Sequence, residues 1–391
     1  MSVASSPGAG RSGAGPEAPT GPAVGVLQPG RSEGPPLASA AHRVADYEAA
    51  VAYCAARGWT DGLPVVPPTA ERIWAMLAAA GRDPGDIVGQ VPARRRTITA
   101  EKVAINAVMA GCDPIHFPVV LAAVEAMLDP AFNVHGPTAS TSGVGILVIV
   151  NGPVAAAARF NARENLFGPG PASHANLVVG RAVRLVVMNA LGSVPGGLDR
   201  ACFGHPGKLA YCIAEDEAAI AGTPGWPPLA QERGVPAGLS AVTVFAGEAP
   251  HQVAAPRAAA PEPLLLAIAD VMSSAGRVNV TGSGEFVVVI AAEHRRILTA
   301  AGWSKADVRR FLHERAGRSV ADLKRLGRLP GPVEPGDERR VLPAAGSPDD
   351  IHLVAAGGHV GAYSVVIPGW TGTEHCRAVT RPVGVCLECQ V

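Results

Sequence analysis

"GVGILVIVNGP", residues 143–153, is the stretch on which the fold turns. Ile146 to Val150 form an unbroken, mostly β-branched run, closed by glycine before it and Gly152-Pro153 after it. Such a run reads as a strand buried on both faces, and that kind of strand needs neighbours in a sheet and helices over it. Further short strands read from "LAYCIAED" (209–216), "SAVTVFAGE" (240–248), "GEFVVVIAAE" (284–293) and "DIHLVAAGG" (350–358). Helical spacing appears in "TAEKVAINAVMAG" (99–111), "DPIHFPVVLAAVEAML" (113–128) and "HANLVVGRAVRLVVMNALG" (174–192). It returns in "PLLLAIADVMSSAG" (263–276), "HRRILTAAG" (294–302) and "KADVRRFLHERAG" (305–317). Strands alternating with helices predict an α/β fold with mixed sheets flanked by helices.

Nearer the start, Val44, Tyr47, Ala50, Val51 and Cys54 fall at helical spacing, and Thr69 reads as the N-cap of a helix that Gly81 stops. Residues 1–42 are rich in Ala, Gly, Pro and Ser and cannot offset their ordering entropy, so a disordered tail is expected there. The pattern weakens again in "HQVAAPRAAAPEPL" (251–264). Two lobes are expected, 43–250 and a smaller 251–391.

The totals narrow the function classes. Lys plus Arg equal Asp plus Glu at 33 each, which argues against a nucleic-acid binder, because phosphate neutralisation needs a basic excess. No apolar run reaches the roughly 18 to 20 residues of a membrane helix, and no secretory signal pattern opens the chain. A soluble cytoplasmic protein is expected, and an apolar chain of this size often forms a homo-oligomer. The seven cysteines are odd in number and widely spread, unlike a disulfide framework.

"WTDGLPVVPPT" (59–69), "NAVMAGCDPIHFPVVLAAVEAM" (106–127), "LFGPG" (166–170) with "ANLVVGRAVRLVVMNALG" (175–192), and "GHPGKLAYCIAEDE" (204–217) carry a resemblance. Over residues 44–382 the chain resembles a bacterial protein family related to, or fused with, UGSC-type (seleno)proteins. That element, Sec-Gly-Ser-Cys, implies thiol or selenol chemistry where it occurs. This chain has no Cys-Gly-Ser-Cys, so one alternative expectation is a non-catalytic subunit that serves a small thiol- or selenol-active partner protein.

Cys112 lies in the joint between two helices, just before Asp113-Pro114. With Asp113 as N-cap and Pro114 at N1, the thiol lies beside free N–H groups, where the helix dipole favours a thiolate. His116, within a turn, is the natural activating base. Asp113 opposes this, and buried cysteines are commonly inert. Gly168, Gly170, Ser173 and His174 form a glycine-rich loop opening a helix that carries Arg181, a pattern suited to an anionic substrate. His205 and Lys208 occupy a loop that runs into a strand, with Asp199 and Arg200 nearby. The leading expectation is an enzyme with a Cys112 nucleophile, a histidine acid–base such as His116 or His205, Lys208 as a general acid–base, an anion clamp or a solvated loop cation, and Arg181 with the loop N–H groups holding a small anionic substrate. A metal-dependent lyase or hydrolase is the alternative, with a divalent metal at dispersed histidines such as His135, His251 and His294, although no metal motif is present. Cys386 and Cys389 form a terminal C-x-x-C that reads as a zinc site, a redox pair or an incidental spacing.

Overall fold

The computed structural model describes residues 36–281 and 284–384. In chain order the helices are α1 (Tyr47–Ala56), α2 (Ala70–Ala79), α3 (Ala100–Ala110), α4 (Phe117–Met127), α5 (His135–Ala139) and α6 (Pro153–Ala157). They continue with α7 (His174–Leu185), α8 (Leu229–Glu232), α9 (Pro261–Met272), α10 (Ala292–Ala300), α11 (Lys305–Arg315) and α12 (Val320–Arg325). The strands are β1 (Ile87–Val91), β2 (Arg96–Thr99), β3 (Gly145–Asn151), β4 (Cys212–Ala214), β5 (Ala241–Gly247) and β6 (His251–Ala254). After them come β7 (Gly284–Ile290), β8 (Gly317–Ser319), β9 (Val341–Pro343), β10 (Ile351–Ala355), β11 (Tyr363–Gly372) and β12 (Val379–Pro382). The fold is α/β with a mixed sheet, as the alternation predicts.

The eight-stranded sheet runs β10-β7-β11-β5-β3-β4, with β12 beside β5 and β6 beside β11. The β3–β4 and β10–β7 pairs are parallel and the other pairings in this sheet are antiparallel. Successive side chains of one strand serve different cores, as strand geometry requires. Val148 and Val150 of β3 join residues of α3, α4 and α7, whereas Leu147 and Ile149 join Phe245, Val287, Val289, Val354 and Ile367. Phe286, Val288 and Ile290 of β7 pack instead with Leu264, Ile268, Val308 and Leu312 of α9 and α11.

The sheet curls back on itself, because the Asp216 N–H, just past β4, donates to Ala355 O of β10 at 2.7 Å. The inner core is therefore shared by both halves of the sheet, with helices outside each half. The corner lies where β11 leaves β7 and meets β5 through one residue pair, Gly369 with Gly247. A Cβ on Gly247 would stand 2.7 Å from Ile367 Cγ2, and one on Gly369 would stand 2.8 Å from Glu285 O, so only glycine permits the approach.

β6 falls inside residues 251–264, where the sequence pattern weakens, and it pairs with β11. Strands from both expected lobes thus share one sheet. Residues 36–42, expected as tail, are attached to α3: Glu101 accepts from the N–H groups of Ala38 and Ser39, each at 2.8 Å. The rest of the expected tail lies outside the described residues.

Candidate functional site

A narrow cleft opens at the start of β3. Its walls are Pro137 and Thr138 of α5, Val144 to Ile146, Gly180, Val183 and Arg184 of α7, and the Gly207-Lys208 turn. Its interior space is ≈ 30 Å³. Arg184 and Lys208 converge there on one carboxylate, Asp199, which is 4 % exposed. Arg184 Nη2 donates to Asp199 Oδ2 at 3.0 Å and Lys208 Nζ stands 2.8 Å from the same carboxylate. Burial pushes the Asp199 carboxyl up, but the Lys208 hydrogen bond, the Ala201 N–H and the two cationic charges outweigh it and hold it below the ordinary range. Two cations against one anion leave the cleft with one net positive charge. Behind it, the Arg94 guanidinium donates to Thr138 Oγ1 and to His135 Nδ1, fixing α5 against the β1–β2 turn.

Lys208, expected from the sequence, is thus in the cleft. His205 is not: its Nδ1 accepts from the Gly207 N–H at 3.1 Å, and its ring meets Tyr211 edge-on behind Gly145. Burial lowers its pKa, so it is a neutral group that shapes the turn. Arg184 was the missed residue. Arg181 and Arg184 are neighbours on α7, and nothing in their spacing tells which one is spent on the chain itself.

Arg181 is the one spent. It makes a two-pronged pair with Asp61, Nε to Oδ2 at 2.7 Å and Nη2 to Oδ1 at 2.8 Å, and it donates to the Pro64 carbonyl. This ties the "TDGLP" segment to α7 and leaves no free fork for a substrate. The Gly168–Gly170 loop does open α7, but Ser173 is buried and accepts from Asn161 Nδ2 at 3.1 Å. His174 is exposed at the helix start, its ring 6.0 Å from that of His116.

The joint at Cys112 has the expected local form and a different role. Asp113 is the N-cap and Pro114 follows at N1. His116 completes a capping box: its Nδ1 accepts from the Asp113 N–H at 3.0 Å, which places the ring proton on Nε2, 3.3 Å from Ala158 O. His116 therefore has no free nitrogen with which to activate a thiol. Cys112 is buried, and its Sγ–H points to the Val178 carbonyl at 3.4 Å. Burial pushes its pKa far up, Asp113 adds to the rise, and Arg181 opposes it only in part. In this setting Cys112 is a packing group between α3 and α7, not a thiolate.

The histidines expected as metal ligands lie apart. His135 is bonded to Arg94, His251 is exposed on β6, and buried His294 shares a hydrogen with Ser364 Oγ at 2.8 Å. Among the described residues, no group of three or more His, Cys, Asp or Glu side chains is placed to hold a metal ion. The Cys386–Cys389 pair lies outside the described residues. No helix among the described residues is long and apolar enough to cross a membrane. A wider groove of ≈ 600 Å³ runs along residues 217–231, but its one carboxylate, Glu217, is already taken by Asn151 Nδ2 and the Gly152 N–H. Compared with protein-family models, curated proteins and solved structures, the chain gives no match.

Proposed function

We propose that the chain binds a small organic acid or phosphate compound, whose anionic group enters the cleft between Arg184 and Lys208. The observation that carries this reading is the convergence of two cations on a single buried carboxylate, with one positive charge left over. Asp199 holds both side chains extended before a ligand arrives, so little ordering entropy is lost on binding. An interior of ≈ 30 Å³ has room for about two waters, so only the oxygens of the anionic group enter and the rest of the molecule stays at the mouth. The thiol-dependent enzyme anticipated from the sequence is not adopted, because Cys112 is buried and bonded to a carbonyl.

The test is calorimetric titration with inorganic phosphate and, separately, acetate at low ionic strength. Saturable binding that weakens at least tenfold in Lys208→Met and in Arg184→Met supports the reading. Binding unchanged in both variants overturns it.

A further inference from the structure

The cleft interior takes only the oxygens of an anion, so the body of a ligand lies at the rim, and the chemistry of the rim selects that body. Much of the rim comes from one segment, residues 194–209. It supplies Asp199 and Lys208, two of the three charged groups of the cleft. It also carries the exposed apolar side chains of Val194, Phe203 and Leu209.

Backbone contacts fix where two of these stand. The Ser193 hydroxyl donates to the Thr138 carbonyl of α5, one wall of the cleft. The Val194 carbonyl accepts from the Asp199 N–H at 3.2 Å, so Val194 is held between that wall and the carboxylate. Phe203 lies between two anchored neighbours. On one side the Cys202 N–H donates at 3.0 Å to the carbonyl of Thr141, two residues past α5. On the other, Gly204 packs against the Lys208 stem: a Cβ there would stand 3.3 Å from Lys208 Cδ. The loop tip thus runs from the α5 side of the cleft to the Lys208 side, and the Phe203 ring at that tip is 99 % exposed.

Single exposed hydrophobics are ordinary on a protein surface. Phe203 and Val194 differ in position, since both are tied to the charged groups of an anion-binding cleft. Ligand sites commonly combine apolar walls with a few placed polar groups. A hydrated aromatic ring gains when an apolar surface covers it, and a ligand anchored on Arg184 and Lys208 brings that surface to the rim. Hydroxyls on the ligand body would find no hydrogen-bonding side chain on Phe203 or Val194. We propose that the ligand is a hydrophobic acid, an aryl or alkyl phosphate or carboxylate, whose apolar body lies against Phe203 and Val194. This inference rests on the anion reading of the cleft and adds the class of molecule.

Calorimetry compares phenyl phosphate with inorganic phosphate, and benzoate with acetate, which carry the same charge. The ligand bearing a ring is expected to bind about tenfold more tightly, the scale of one good aromatic contact. Lys208→Met should weaken both members of a pair. The Phe203 ring packs against nothing in its own chain, so Phe203→Ala should fold as wild type does. That variant should bring the two affinities within about threefold of each other, whereas Phe203→Trp keeps the preference. A preference in only one pair supports the inference and identifies the head group as phosphate or carboxylate. Equal affinities within both pairs, still weakened by Lys208→Met, overturn this inference and leave the anion reading standing. A preference that survives Phe203→Ala also overturns it. Binding unmoved by both Lys208→Met and Arg184→Met, or no binding of any of the four ligands, overturns the anion reading and this inference together.

Discussion

Replacing Asp199 by asparagine tests the electrostatics of the cleft most directly. The amide keeps the shape of the carboxylate and removes its charge, so Arg184 and Lys208 are left facing each other without a counter-ion. Their side chains are only 13 % and 14 % exposed, so water screens them weakly. At an effective dielectric constant of about 20, each cation–carboxylate contact near 3 Å contributes roughly 5 kcal/mol of Coulomb energy before desolvation is set against it. Removing one partner of a buried pair typically costs 3–5 kcal/mol, and the slight exposure here favours the lower value, about 3 kcal/mol. That is a change of roughly a hundredfold in the folding equilibrium. Urea unfolding followed by circular dichroism at pH 7, with and without phosphate, is the assay. The variant should lose about 3 kcal/mol in phosphate-free buffer and recover more than wild type when phosphate is added, because the ligand replaces the missing charge. A ligand at a hundred times its Kd returns about 2.7 kcal/mol. A loss below about 1 kcal/mol, or a phosphate response no larger than that of wild type, refutes the reasoning. The pH dependence has a definite sign. The Asp199 pKa is depressed on folding, so its stabilisation is present above the unfolded value near 4 and is lost as pH falls through the folded value. Wild type should show that acid loss and the variant should lack it.

Cys112 should resist iodoacetamide until the protein unfolds, whereas exposed Cys202 reacts in the native state; peptide mass spectrometry over a pH series reads both, and fast native labelling of Cys112 would restore the nucleophile reading. Lys305, fully buried, donates to Glu215, to Glu232 and to the Pro227 carbonyl, linking α11 to the end of β4. Lys305→Met should lower stability in urea by about 3–5 kcal/mol, because Glu215 then stays buried without its cation. A loss under about 1 kcal/mol would mean that the three N–H donors satisfy Glu215 alone.

Much of the secondary structure was legible. The run Ile146–Val150 and the four other apolar segments became β3, β4, β5, β7 and β10, because strand-length apolar runs between glycine and proline have few other ways to bury themselves. β11 escaped notice, since Pro368 and Gly369 interrupt its pattern, and those interruptions mark the corner at which the sheet turns. β6 was hidden by its exposed polar residues, His251 and Gln252, which suit a strand needing cover on only one face.

Of the candidate residues, Lys208 stands out in the sequence because a lysine is rare in this chain, and the Asp113-Pro114 cap is legible because capping chemistry is local. The same local geometry was misleading about Cys112, whose burial comes from the Val178 carbonyl of a helix 66 residues away in the chain.

The sequence by itself determined what short-range physics controls: the strand runs, the helix periods, the caps and the α/β class. Only the tertiary structure decided which charged side chains are spent on the fold. Arg181 finds its carboxylate 120 residues away at Asp61, and Lys305 finds Glu215 at a separation of 90. Such pairings depend on how the sheet closes, which local periodicity does not encode. The folded chain spends Arg181 and Lys305 on Asp61 and Glu215, and it sets Arg184 and Lys208 together on the single carboxylate of Asp199.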